Sequence, residues 1–400
     1  MTQQTSLWFS PSFGLATTLA GLSLSLIYTF ISLPTRRRKK VEGDLTKLIG
    51  QTPILRINSL SQITGCEIWG KCEFLNPGGS VKDRVALKII REAERQGSIS
   101  PHASPKWKIF EGTSGSTGIS LALVARALGY ETEIVLPDDT AHEKIELIEK
   151  MGGTVIKVRP VSIVHASHYV NLARQRALDY KPTDESGQTV SRGFFLNQFD
   201  NLINSQAHYE STGPEIWEQT GGQIDVFVSG AGTGGTMAGV GSYLRYQKPE
   251  LDIILADPLG SGLFHKVKEG VMYSSTEAEG KRRRHQVDTI VEGIGLNRST
   301  QNFEKALPQI NDAIQVTDQE AIKMSRYLVI HDGLFIGSSA AVNLVACVKL
   351  AKRSNSKLKI VTILCDGGQR HLSKFWNDDY LKRIGIDTIV EDDFNLLEYL

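Results

Sequence analysis

"IDVFVSGAGTGGTMAGV", residues 224–240, runs from an apolar stretch into a cluster of glycines and out again into small apolar residues. An apolar run bounded by turn residues reads as a buried strand, and the small residues beyond it as the start of a helix. The same grammar recurs along the chain. "PILRI" (53–57) and "EIWGKCE" (67–73) read as strands, and "SVKDRVALKIIREAERQG" (80–97) as a helix that Ser80 and Asp83 would open with a capping box. "WKIFEG" leads into "ISLALVARALG", "TEIVLP" into "AHEKIELIEKMG", and "DIILADP" and "KIVTILCD" supply later strands. Strands alternating with helices at this spacing predict parallel sheets covered by helices. The fold class expected is α/β: two open, mostly parallel twisted-sheet subdomains with a cleft between them. The subdomains are placed at residues 41–200 and 201–400, after a distinct segment 1–40.

With 45 Lys+Arg against 44 Asp+Glu, the 400-residue chain carries no charge bias toward nucleic acid, and no nucleic-acid partner is expected. Cys66, Cys72, Cys347 and Cys365 form no CxxC pair and no metal spacing, so they read as reduced core residues and no metal is expected. Phe13 to Leu33 is free of charge and about as long as the roughly 20 residues that cross a bilayer. "TRRRKK" (35–40) follows it, and no charged residue precedes it. That order predicts an uncleaved signal-anchor, an N-terminal transmembrane helix with the bulk of the chain on the cytosolic face, most simply at the mitochondrial outer membrane. "SSTEAEGKRRRHQ" (274–286) reads as an exposed loop whose basic run, Lys281–Arg284, could dock a partner.

Three loops compete for the chemistry. Gly230-x-Gly232-x-x-Gly235 satisfies a dinucleotide fingerprint, and Asp257 lies where a ribose-binding acid would. "EGTSGSTG" (111–118) joins a strand to a helix with hydroxyls and glycines that suit an anion, without the lysine of a triphosphate-binding loop. "GLFIGSSAAVN" (333–343) brings the pair Ser338 and Ser339 into a helix. "NPGGSVKDR" (76–84) decides among the readings: a tight turn delivers Lys82 to the first turn of a helix, with Arg84 beside it. Both the helix N-terminus and Arg84 would disfavour the protonated amine, which suits a neutral lysine that forms a Schiff base. A nicotinamide cofactor would leave Lys82 and the 113–117 loop without a task. Lysine, phosphate cradle, carboxylate-sized loop and serine pair together specify pyridoxal phosphate acting on an amino acid.

On these motifs the chain resembles the fold-type II pyridoxal-phosphate enzymes, and within them the cysteine synthase and cystathionine β-synthase group, in a fungal-type membrane-anchored form. The resemblance runs from "LTKLIGQTPILRINSL" near Leu45 to about Leu372. It implies a tryptophan synthase β-like fold, with Lys82 bonded to pyridoxal 5′-phosphate and acting later as the base at Cα. It implies that Gly232, Thr233, Gly234, Gly235 and Thr236 hold the cofactor phosphate, and that Ser339, in preference to Ser338, faces the pyridine nitrogen. The amides of Thr113, Ser114, Gly115, Ser116 and Thr117 would clasp the substrate carboxylate, helped by Gln198. Ser116 stands where the family usually has Asn in "TSGNTG", contacting the cofactor ring hydroxyl. "EGIGLNRSTQNF" (292–303) departs from the usual continuation of "EGIG" near the substrate entrance. The reaction implied is β-replacement by a transferase, O-acetylserine plus sulfide giving cysteine plus acetate, in a homodimer whose partners are an amino-acid substrate and sulfide or a thiol. The alternatives are cystathionine β-synthase, β-elimination from serine or cysteine on the same scaffold, and, from another class, a membrane-tethered scaffold without activity.

Overall fold

The computed structural model describes residues 43–274, 289–391 and 394–400. Among these, strands β1 (Ile54–Arg56), β2 (Glu67–Cys72), β3 (Lys108–Gly112), β4 (Glu131–Pro137) and β5 (Thr154–Val158) precede β6 (Gly193–Phe195). β7 (Val226–Gly230), β8 (Asp252–Pro258), β9 (Asp312–Val316) and β10 (Lys359–Leu364) come after them. They form a six-stranded sheet in the order β1-β2-β10-β7-β8-β9 and a four-stranded sheet in the order β5-β4-β3-β6. Every pairing is parallel except β1 with β2.

The first two strands therefore belong to the sheet built from the second half of the chain. Glu67 to Cys72 pair with Lys359 to Leu364 in register, across nearly the whole sequence. Side-chain alternation explains why the larger sheet takes helices on both faces. Val226 and Val228 of β7, Ile254 and Ala256 of β8, and Ile360 and Leu364 of β10 enter one core with the helices Asp318–Asp332 and Ser338–Arg353. Phe227, Ile253, Leu255, Val361 and Ile363 point the other way, into a core closed by the helix Gly235–Gln247. The smaller sheet buries Ile109, Ile134 and Leu136 against the helices Lys82–Arg95 and Ser116–Ala127.

The helix that carries Lys82 starts at Lys82, not Ser80, and the expected capping box does not form. Ser80 is bridged to Asp366, and the Asp83 carboxylate is spent on the Gly78 amide and the Ser120 hydroxyl. A buried ion cluster fixes the far side of the same turn. Arg84 donates to Glu73 from Nε at 2.8 Å and pairs with Glu215 at 2.6 Å, while Lys71 meets Glu215 at 2.7 Å. Burial works against ionisation of Glu215, but Arg84 and Lys71 outweigh it and hold that carboxyl down at about 2.

No helix among the described residues is long and apolar enough to cross a membrane. That corrects the expected N-terminal transmembrane helix, and with it the membrane contact, the anchoring and the outer-membrane placement drawn from it. Residues 13–33, on which the expectation rested, and Lys281–Arg284 lie outside the described residues.

Removing one member of a buried ion cluster leaves the others desolvated and unpaired, which typically costs about 3–5 kcal/mol. Arg84→Met is expected to lower the free energy of unfolding by that order in chemical denaturation, with a change below ~1 kcal/mol contradicting the role given to the cluster.

Candidate active site

The parallel strands of the larger sheet all deliver loops to the edge where their carboxyl ends finish, the usual crevice of an open α/β sheet. Beyond the pair Thr362–Val228, Asn343 takes over the pairing of β7 and β10: its Oδ1 accepts from the Gly230 amide at 2.7 Å and its Nδ2 donates to the Ile363 carbonyl at 2.8 Å. A cleft of about 950 Å³ opens there and continues into a smaller inner cavity. Lys82, Thr113, Ser114, Ser116, Thr117, Gln198, Gly232 and Thr233 line the cleft, and Gly234, Thr236 and Ser339 the inner cavity. Of the residues expected at the site, only Gly115 and Gly235 line neither.

Lys82 is set by the turn before it, where the Val81 amide donates to the Cys365 carbonyl at 3.1 Å. Burial pushes its amine below the ordinary lysine value, while Cys365 and Asp366 work the other way. Arg84, expected to contribute, faces away into its ion cluster. The lysine is thus readied by desolvation and not by a neighbouring cation.

Across the cavity, Gly232 to Thr236 turn into the helix Gly235–Gln247, whose N-cap residue Gly234 has no side chain to cap it and whose Gly235 amide donates to Thr233 Oγ1 at 3.3 Å. A Cβ on Gly232 would lie 2.0 Å from the Gly293 carbonyl oxygen, and Gly234 sits at φ +87°. Glycine is required there to bring bare backbone to the cavity. Thr236 Oγ1 lies 3.3 Å from Nε2 of His208, a histidine that burial keeps neutral and that no motif announced. Asn204 donates to Thr233 Oγ1 at 2.9 Å and to the Gln198 carbonyl at 2.8 Å, tying the two loops together.

The 113–117 loop opens the helix Ser116–Ala127 through Gly115 at φ +135°, its amide donating to Thr113 Oγ1 at 3.1 Å. Gln198 differs from expectation. Its Oε1 accepts from Thr117 Oγ1 at 2.5 Å, and its Nε2 donates to the Gly112 carbonyl at 3.2 Å and to Glu111 at 3.4 Å. The amide is spent on bracing the loop from behind. Glu111, beneath it, also accepts from the Gly112 and Gln198 amides, and burial pushes its carboxyl up to about 8.

Ser338 and Ser339 separate cleanly. Ser338 Oγ accepts from the Glu292 amide at 3.0 Å, whereas Ser339 lines the inner cavity with Lys82 and Cys365. Cys365, expected to be inert core, is a wall of that cavity, its thiol pushed up to about 11 by burial. Asp257 is no ribose ligand: it accepts from the Phe264 amide at 2.8 Å at the start of the helix Leu263–Glu269, and burial raises it to about 7. Glu292 is a hub that spacing did not reveal. Lys144 of the helix His142–Lys150 pairs with it, His371 Nδ1 lies 3.5 Å away and Lys374 3.7 Å. Burial opposes its charge, yet Lys144 and His371 hold it well below the usual carboxylate range.

With this geometry in place, the comparisons are unambiguous. The family described as pyridoxal-phosphate dependent enzyme matches residues 45–366. Cysteine synthase 2 of Schizosaccharomyces pombe is 52% identical over 358 residues, covering 90% of this chain and 88% of its own length. Cysteine synthase 2 of Neurospora crassa is 54% identical over 356 residues, covering 88% and 75%. The crystal structure of an O-ureido-L-serine synthase superposes with a TM-score of 0.71 at 29% identity, covering 88% of this chain and 98% of that one. The chain belongs to the pyridoxal-phosphate dependent enzyme family, and its cofactor is pyridoxal 5′-phosphate. The residues present fit that group: a half-buried lysine with a lowered pKa faces a glycine turn in which a side chain at Gly232 would collide with backbone.

Glu111 supplies a test of the brace. Its folded value of about 8 lies above the ordinary 4.5, so the folded protein keeps a proton that the unfolded chain has released. Stability from this group falls as pH rises from about 4.5 to 8, by up to about 1.4 kcal/mol per pH unit. Glu111→Gln removes that slope. Its melting temperature relative to the parent is expected to be higher at pH 8 than at pH 5, and a difference that does not change with pH would contradict the assignment.

Proposed function

We propose that this member of the pyridoxal-phosphate dependent enzymes is a cysteine synthase that converts O-acetylserine and sulfide to cysteine and acetate. The Cβ–O bond breaks with its electron pair leaving on acetate, hydrosulfide forms the Cβ–S bond and keeps its hydrogen as the product thiol, and the proton taken from Cα is returned to Cα. The observation that carries the reading is Lys82, a half-buried amine of lowered pKa at the head of a helix, facing both a glycine turn suited to phosphate and the 113–117 anion loop. Two relatives about half identical to it carry the name cysteine synthase.

Each residue has a task in this reading. The amides of Ser114, Ser116 and Thr117 bind the substrate carboxylate and so orient Cα toward Lys82, the Thr113 and Gly115 amides being taken by the Val135 carbonyl and Thr113 Oγ1, while Gln198 and Glu111 keep that loop in shape. Lys82, whose amine desolvation shifts toward the neutral form, takes the Cα proton. The amides at 232–236, apart from that of Gly235, which Thr233 Oγ1 takes, bind the cofactor phosphate, with His208 beside the Thr236 hydroxyl. When bound, the cofactor supplies an electron-withdrawing ring that makes this proton removable. Ser339 offers the ring nitrogen a neutral hydroxyl and not a carboxylate, which favours expulsion of the β-substituent over transamination. Ser116, one hydroxyl in the position of the family's Asn, contributes a shorter contact to the same face.

The purified full chain is expected to be yellow and to form cysteine and acetate in equal amounts from O-acetylserine and sulfide. Lys82→Ala should lose the lysine-bound cofactor absorbance and about 10²–10⁴-fold in kcat, the range for a lost general base. A colourless parent protein, or one that consumes serine while ignoring O-acetylserine, would overturn the assignment. Ser339→Ala should weaken cofactor retention more than Ser338→Ala, read as the cofactor content after dialysis; the reverse order would move the ring-nitrogen contact to Ser338.

A further inference from the structure

The inner cavity contains a carboxylate that the reaction just described does not use. Asp366, two residues beyond the end of β10, lines it together with Lys82, Ser339 and Cys365. Backbone pairing fixes its place: Asp366 bridges Ser80, two residues before Lys82, and its carbonyl accepts from the Gly337 amide at 3.0 Å. One carboxylate oxygen, Oδ1, has no hydrogen-bond partner among the described residues, and Oδ2 accepts from Nε2 of His371 at 3.0 Å. His371 is only 1% exposed, and its Nδ1 lies 3.5 Å from Glu292, a residue of the cleft wall. Burial pushes the imidazole down, but Asp366 and Glu292 outweigh both burial and Lys144 and hold the ring above its ordinary value. Burial likewise works against the charge on Asp366, and His371, Lys144 and Arg370 outweigh it and keep the carboxyl low. Charges buried this deeply persist only with such partners.

Lys82 needs a counter-charge for one part of the cycle. Desolvation leaves its amine free to accept the Cα proton but makes it a weak holder, because the ammonium formed sits away from water. A general base works best when its pKa lies near the operating pH. Cys365 and Asp366 are the two groups that oppose burial at Lys82, and the Cys365 thiol, pushed up to about 11, is uncharged near neutrality. His208, whose own proton Lys82 helps to repel, is neutral as well. Asp366 is the anion that remains. We propose that Asp366, clamped by His371, is a positioning residue that holds the Cα proton on Lys82 between its removal and its return. The inference rests on the β-replacement reading. The Cα–H bond breaks with its electron pair left on Cα, the Lys82 nitrogen takes the proton, and that proton goes back to Cα once the Cβ–S bond has formed. While Lys82 holds it, charges alternate from the inner cavity to the cleft wall through Lys82, Asp366, His371, Glu292 and Lys144.

Two readouts on the full-length holoenzyme test this. The first needs no turnover: it is the pH at which the lysine-bound cofactor absorbance changes as the Lys82 nitrogen gains its proton. Removing a nearby anion disfavours the protonated form, so Asp366→Asn is expected to move this pH down by about one unit or more. Asp366→Glu should restore at least half of the shift. The second readout is the acid limb of kcat for cysteine formation, which should move in the same direction, with the plateau about tenfold lower and KM for O-acetylserine within about twofold. His371→Gln should shift both readouts the same way, and the double variant should go no further than Asp366→Asn alone, because the two side chains act as one unit. An unmoved absorbance transition in Asp366→Asn would overturn the proposal, as would a fall in kcat with the acid limb in place or additive effects in the double variant. Loss of cofactor content with both pH values unchanged would show that Asp366 only supports the fold, and would overturn it too. A parent enzyme inert toward O-acetylserine and sulfide would instead defeat the cysteine synthase reading, and the absorbance transition would still judge Asp366.

Discussion

The parallel pairing of β2 with β10 is the constraint on which the site depends. It joins Glu67–Cys72 to Lys359–Leu364 in register, so both strands end at the same level of the sheet. The segments leaving the two strand ends must then meet: Ser80 bridges Asp366, and the Val81 amide reaches the Cys365 carbonyl. Lys82 begins its helix at that junction, and β7, the next strand over, ends at Gly230 and sends its glycine turn to the same edge. Lys82 and the glycine turn come from residues some 150 apart in sequence, yet their separation in space is set by neighbouring strands. Hydrogen-bonded strands lie ~4.8 Å apart, a spacing that tolerates little error.

Local sterics refine what the sheet provides. Gly232 is held against Gly293 and Gly115 against the Lys144 side chain, so each of the two loops touches a neighbour of Glu292 or its partner. The ion cluster of Arg84, Glu73, Glu215 and Lys71 locks the outer side of the Lys82 turn and turns Arg84 away from the cavity. That division has a chemical result. A cation beside Lys82 would also attract anions to the wrong end of the cavity, whereas desolvation lowers the amine pKa without adding charge.

Much of this was legible in the residues, because the signals are local. Apolar runs ending in glycine turns predicted the strands and the helices after them, and "NPGGSVKDR" pointed to Lys82 through the turn that delivers it. The hidden part required knowing which distant segments touch. Nothing around Ile54 or Glu67 says that β1 and β2 join a sheet whose other members lie beyond residue 225. Arg84 beside Lys82 suggested a repulsion that vanishes once Glu73 and Glu215 claim the guanidinium. Ser80 and Asp83 had capping-box spacing, but Ser80 Oγ accepts from the Lys82 amide, one residue short of Asp83, and the Asp83 carboxylate is taken by the Gly78 amide and the Ser120 hydroxyl. Cys365 looked like any buried cysteine until β10 ended beside Lys82, and His371 had no motif at all. The hydroxyl pair could be ranked but not explained until Ser338 was found holding the Glu292 amide.

Glu292 shows how the two sheets are made to share one cleft. Lys144 comes from the helix after β4 of the smaller sheet, while His371 and Lys374 lie beyond β10 of the larger one. A single carboxylate thus collects cations from both sides, and the same segment continues into Gly293, which confines Gly232. Burial penalises the charge on Glu292, so the carboxylate stays ionised only while its cations surround it. Any movement that separates the sheets must pull Lys144 from Glu292 and expose or strand a charge. The arrangement that keeps the two sheets together is therefore favoured electrostatically as well as by packing.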